Sequence, residues 1–351
     1  MQVNFNQAVT LISTLGSQVT FMLRGAPGQG KSSLLKALSQ RMPDFYPCYV
    51  DCANLDLGDL AMPVVDRETM TTNYAPSARF GVARGQNRPV LLMLDELTKA
   101  AKPVMNMLLP VLLERRIGDV KLPIGSIVFG TGNLDTDGVG DSLSAIAFNR
   151  MTVCDWANIT TEEFLAWAVD NDVDPTIMKF ASDNPEVFER YDALTNPKNP
   201  YVFNPLTGNT KTFVSPRSLE KASHIVKQRH ILGDALLPAL IGTIGEPAAR
   251  LLEAAIALDD QLTPMPLIER DPLNAPLPKD VSGYFMMAFR MVARSTEANL
   301  SAICQYVGRW TSFEAQHLFT VRMCASPSKL KFLTRCREFT ELSAKQAKYI
   351  K

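Results

Sequence analysis

The octapeptide Gly25-Ala26-Pro27-Gly28-Gln29-Gly30-Lys31-Ser32 stands between two runs of opposite character. Before it, Val19 to Arg24 reads as a strand. After it, Ser33 to Arg41 reads as a helix. The stretch fits G-x-x-x-x-G-K-[ST], the phosphate-binding loop, and the strand–loop–helix setting is the context that motif requires. Its glycines let the backbone wrap closely, so that successive N–H groups point inward at phosphate oxygens. The helix start adds a fixed positive end. Gly25, Ala26, Pro27, Gly28, Gln29, Gly30, Lys31, Ser32 and Ser33 are therefore the candidate nucleotide cradle. Lys31 is expected to reach the β- and γ-phosphates, and the Ser32 hydroxyl to ligate Mg2+.

Downstream, Pro89-Val90-Leu91-Leu92-Met93-Leu94-Asp95-Glu96 is a continuous apolar run ending in two acids. This is the pattern of a buried parallel strand with chemistry at its carboxyl edge. Asp95 is the expected metal-side acid. Glu96 is the expected acid that orients and deprotonates an attacking water. Ser126 to Asn133 reads as another buried strand. Asn133 at its end is placed either to touch a γ-phosphate and the lytic water or to make a plain turn, and spacing leaves both readings open.

The remaining elements are read more coarsely. Residues 5–17 form a short helix, Tyr46–Asp51 a strand and 98–115 a helix. Gly118–Pro123 is a small hairpin or loop, and residues 54–88 are a mixed, turn-rich stretch. Beyond about residue 155 the pattern is almost wholly helical. Thr160 and Glu163 make a capping box, residues 184–214 read as a long loop, and Pro216 stands at a helix first-turn position. The expected division is 1–155, 156–262, a Pro-rich linker at 263–279, and 280–351.

Composition bounds the function. The 351 residues hold 46% apolar side chains, ample for two or three domains. Lys plus Arg and Asp plus Glu number 36 each, a balance that argues against a chain working mainly by gripping a nucleic-acid backbone. The six cysteines are scattered, which points to a reducing cytoplasm. Cys48 and Cys52 lack a second pair at zinc-ligand spacing. Neither a signal peptide nor a membrane span is visible.

Taken in order, these segments resemble an AAA+ ATPase, and within that superfamily the MoxR-like group. Gly25–Ser32 is similar to Walker A, Leu91–Glu96 to Walker B, and Gly130-Thr131-Gly132-Asn133 to the sensor 1 strand end. Phe148-Asn149-Arg150 is similar to the arginine-finger segment, with Asn149 where the family usually has Asp. Ser215-Pro216-Arg217 is similar to sensor 2. The likeness covers about residues 5–260 and is loose over 280–351. It implies an α/β P-loop NTPase (AAA+) core with a parallel sheet, an all-α lid and a C-terminal helical extension. It implies ATP and Mg2+ as cofactors and a homo-oligomeric, most often hexameric, ring. Lys31, Ser32, Asp95, Glu96 and Asn133 would act in their own subunit. Arg150 would act on the neighbour's γ-phosphate, and Arg217 from the lid. Arg115 is read as a further subunit-interface arginine. The implied work is remodelling a partner, commonly a protein with a von Willebrand factor A domain. A nucleic-acid motor and a slowly hydrolysing, nucleotide-gated scaffold are the alternatives.

Overall fold

The computed structural model describes residues 2–82, 87–133, 148–191, 194, 196, 198–204 and 212–347. They fall into two units, Met1–Asn158 and Ile159–Lys351.

In the first unit the chain runs β1 (Gln2–Val3), α1 (Phe5–Leu15), β2 (Phe21–Arg24), α2 (Leu34–Arg41) and β3 (Tyr46–Asp51). It continues with β4 (Ala61–Asp66), β5 (Thr71–Pro76), β6 (Val90–Asp95), α3 (Lys102–Glu114), β7 (Arg116–Ile117), β8 (Val120–Lys121), β9 (Ile127–Gly132) and β10 (Thr152–Trp156). Among the described residues, one six-stranded sheet has the order β1-β10-β2-β9-β6-β3, and all its pairings are parallel.

The period of two along β6 explains the layers. Leu91 and Met93 face one side and pack with Ile12 of α1 and with Leu34 and Leu38 of α2. Leu92 and Leu94 face the other and pack with Val104, Leu108, Val111 and Leu112 of α3. Helices on both faces bury every residue of β6 and β9, which is why these strands read as unbroken apolar runs. The helix expected from Ser33 starts one residue later. A 3-10 turn over Lys31–Ser33 intervenes and leads into α2.

The mixed stretch before Pro89 holds a β4–β5 hairpin that the sequence reading did not find. Nearly every residue of both strands is exposed, so no alternation of apolar and polar residues marks them. The hairpin is latched to the β7–β8 hairpin. The Tyr74 N–H donates to Asp119 Oδ2 at 2.5 Å, and the Asp119 N–H donates to the Tyr74 carbonyl at 3.2 Å.

The second unit is helical throughout its described regular structure. Thr160 caps Thr161–Asp170 in the expected box with Glu163. Ser215 caps Pro216–Lys227, with Pro216 in the first turn. The boundaries at 262 and 279 are not marked by separate cores. One hydrophobic cluster runs from Phe164 to Leu342 and takes in Ile268 and Ala275. The stretch read as a linker holds the helix Met265–Arg270. Its prolines stand at helix entry and in turns, which permits packing that composition alone disguises. Residues 205–211 of the expected long loop, and 141–147 before Phe148, lie outside the described residues.

Candidate active site

The phosphate-type loop leaves β2 at Arg24 and bends through two left-handed glycines, Gly28 at φ 78° and Gly30 at φ 79°. Residues with a side chain rarely adopt that conformation. Gly25 is constrained differently. Its N–H donates to the Gly132 carbonyl at 3.1 Å, tying the loop to the end of β9. A Cβ there would lie 2.5 Å from the Cβ of Trp156. The Trp156 indole N–H in turn donates to the Gln29 carbonyl at 3.1 Å. The Lys31 ammonium is turned onto its own loop and donates to the carbonyls of Gly25 (2.5 Å) and Ala26 (2.8 Å).

The strand order brings the acids to this loop. β9 lies between β2 and β6, so the carboxyl ends of all three open onto one place. The Ser32 hydroxyl donates to Asp95 Oδ2 at 3.0 Å across 63 residues of sequence. Asp95 is 6% exposed. It also accepts from the Tyr49 phenol at 2.9 Å, from the Glu96 N–H at 3.1 Å and from the Thr131 hydroxyl. Glu96 sits in the left-handed region at φ 51°, uncommon for a residue with a side chain. Its carboxylate accepts from Lys99 Nζ at 2.7 Å. Asn133 follows directly on β9 and is buried, at the same edge as the two acids.

Carboxylates dominate one side of this cleft. Burial, then the hydrogen bond to Asp95, then the charges of Asp95, Asp51 and Glu96 push the Tyr49 phenol up. Burial followed by Asp51 and Asp95 does the same to the Cys52 thiol. A negative field beside a hydroxyl and a carboxylate is a hard-oxygen setting that suits Mg2+. Among the described residues no group of three or more His, Cys, Asp and Glu could cage a metal. The Ser32 hydroxyl and the Asp95 carboxylate are two hard-oxygen donors 3.0 Å apart, a set that would need phosphates and water to complete a cation's shell.

Within the first unit, one of the expected residues is placed apart. Arg150 lies two residues before β10, whose Thr152 pairs with Phe21 and whose Asp155 pairs with Arg24. It thus stands at the amino end of the sheet while the loop stands at the carboxyl end, a separation of roughly 10 Å or more along the strands. Arg217 belongs to the second unit. It is exposed in the first turn of Pro216–Lys227, where a cation opposes the helix dipole.

Arg115 corrects an expectation. Its guanidinium is turned inward and donates to the Gly16 carbonyl at 3.1 Å and, at 2.5 Å each, to the Leu112 carbonyl and the Thr20 hydroxyl. Burial lowers its pKa. It is a clamp inside the α/β layer rather than a group offered to a neighbouring subunit.

Sequence reasoning missed Tyr49, Thr131 and Lys99 as site residues. Thr131 lay inside the quoted Gly130–Asn133 motif, and Lys99 lay three residues from Glu96. Only the β3–β6 pairing, with Asp51 opposite Asp95, brings Tyr49 into reach.

Residues 20–122 match the family model for the AAA domain (dynein-related subfamily). The match spans the phosphate-type loop and both acids, so this part of the chain carries an AAA domain, the ATP-binding type. No curated protein matches in sequence. Among solved structures, the chain is similar to the RuvB Holliday junction branch migration motor of Thermotoga maritima. The identity is 14%, over 73% of this chain and 70% of that one, with a TM-score of 0.38. It is also similar to a candidate ATPase of Cytophaga hutchinsonii, at 13% identity over 72% and 88%, with a TM-score of 0.35.

Proposed function

We propose that the chain is an ATP-hydrolysing AAA+ protein of the MoxR type, working as a homo-oligomeric ring, most simply a hexamer, that remodels a partner protein. The observation that supports ATP hydrolysis is the junction of Ser32 with Asp95 at 3.0 Å, with Glu96 adjacent and Asn133 at the end of the intervening strand; the ring and the remodelling rest on the MoxR resemblance.

In this reading Gly25–Ser33 hold the phosphates through backbone N–H groups and the Lys31 ammonium. Ser32 and Asp95 would hold Mg2+, which supplies charge neutralisation at the β- and γ-phosphates. Glu96 orients a water and accepts its proton. To do so it must turn from Lys99 toward the γ-phosphate side. Asn133 donates from the strand between. Arg150 stands at the sheet's other end, which suits a residue that completes a neighbour's site. There it would offset charge developing on the transferred phosphoryl group. Arg217 would report the same phosphate to the helical unit. The partner class assigned, a protein with a von Willebrand factor A domain, rests on the MoxR resemblance alone. The cytoplasm is the compartment assigned from the scattered cysteines.

Two assays test this. Glu96→Gln should retain ATP binding and lose about 10²–10⁴-fold in turnover. Near-zero turnover in both wild type and variant would sink the enzyme reading. Rings mixed from Arg150→Ala and Glu96→Gln subunits should recover part of the activity, because some interfaces then pair an intact acid with an intact arginine. No recovery would remove Arg150 from the neighbour's site. Stimulation by DNA would favour a nucleic-acid motor instead.

A further inference from the structure

Asp95 is fully subscribed. A carboxylate offers about four lone-pair sites, and four donors occupy this one. The Thr131 hydroxyl and the Glu96 N–H are on Oδ1, and the Ser32 hydroxyl (3.0 Å) and Tyr49 phenol (2.9 Å) are on Oδ2. Any further donor, such as a water in a cation's hydration shell, must displace one of them.

The four are not equally displaceable. Thr131 is wholly buried in β9. The Glu96 N–H is main chain at the strand end. Ser32 is part of the phosphate loop, and its O–H can point at Asp95 whether or not its oxygen ligates a cation. Tyr49 alone is carried on a side chain that is 52% exposed, with only its hydroxyl end turned in against Asp95. It comes from β3, outside the loop, and its ring can swing into solvent without breaking a strand pairing.

We propose that Tyr49 is a displaceable occupant of Asp95 that holds Oδ2 in the metal-free state and yields it when a nucleotide-bound divalent cation arrives. The exchange replaces a neutral phenol donor with a charge-assisted water donor, the stronger of the two. Tyr49 is thus a positioning residue. It keeps the buried carboxylate satisfied between turnovers and sets the apparent affinity for the cation. The inference rests on the reading of Ser32 and Asp95 as the metal end of the site.

The test is calorimetric titration of Mg2+ into the ADP-bound, full-length protein, wild type against Tyr49→Phe. Removing the competing phenol should tighten Mg2+ binding roughly fivefold, the worth of one ordinary hydrogen bond. Equal or weaker binding in Tyr49→Phe overturns the inference while leaving the site reading intact. A second readout is taken on the wild-type protein, with the variant serving only to assign the signal. In wild-type protein labelled with 3-fluorotyrosine, the ¹⁹F resonance that Tyr49→Phe abolishes should move on adding Mg2+ to the ADP complex. A stationary resonance under conditions where Mg2+ binds also overturns it. Absence of any Mg2+ binding by wild-type ADP complex overturns the site reading itself, and the inference with it.

Discussion

Gly25 has no room for a side chain, since a Cβ would stand 2.5 Å from that of Trp156. Gly25→Ala is expected to push the indole off Gln29, lower stability by about 1–3 kcal/mol and weaken nucleotide binding. Urea unfolding and calorimetry with ADP check the two effects together. Arg115→Met takes the donor from the Gly16 carbonyl and leaves the Leu112 carbonyl to the Thr20 hydroxyl, and should cost about 1–3 kcal/mol. Lost ring assembly at unchanged stability would instead restore the interface role. The cradle Gly25–Ser33 was legible because a phosphate loop is contiguous in sequence, and its geometry is dictated by neighbours. Asp95 and Glu96 were legible because a buried strand ending in acids is a strong local contrast. Tyr49 was not legible, because its partner lies 46 residues away and only strand pairing brings them together. Arg115 was misread for the same reason, since Gly16 and Thr20 lie in the turn between α1 and β2, far from it in the chain.

Among the elements, the β4–β5 hairpin stands out for what it leaves uncovered. Met62, Val64, Val65, Met70 and Tyr74 are 45–82% exposed, and the latch to Asp119 is its described tie to the β7–β8 hairpin. Replacing residues 62–75 by a short Gly-Ser link should shift stability by no more than about 1 kcal/mol. A collapse of the fold in circular dichroism would show that the hairpin is structural. The parallel strands β6 and β9 were readable because both of their faces are covered, whereas β1 and the half-exposed β10 were not read as strands. The hairpin was not, because neither of its faces is covered. Helix starts at Thr160 and Ser215 were readable because capping is a local exchange of hydrogen bonds.

At the scale of the whole molecule, residues 159–351 were read as separate pieces but share one core, since prolines in turns look like linkers when packing is not seen. Asp259 lies deep in that unit and accepts from Arg229 and Arg290 at 2.8 and 2.9 Å. Asp259→Asn strips the charge from a buried network and should cost about 3–5 kcal/mol in denaturant unfolding. The same core sets an alkaline limit. Burial pushes the Cys304 thiol well above its ordinary 9.0 and the Tyr306 phenol up to about 12 from 10.0. The unfolded chain releases these protons at their ordinary values while the fold retains them. Stability is therefore full below pH 9 and falls as pH rises toward about 12. Unfolding midpoints at pH 8, 9 and 10 should decline in that order, and less steeply in Cys304→Ala.

The position of β2 between β10 and β9 has a consequence for translation. The phosphate loop is encoded well upstream of both strands that flank its own, which come after residue 126. A nascent chain must therefore carry the loop with both edges of β2 open until β9 has left the ribosome, and with one edge open until Trp156 has followed, an interval on the order of ten seconds from loop to last strand. The nucleotide site is among the first parts of this unit to be synthesised and among the last to be built.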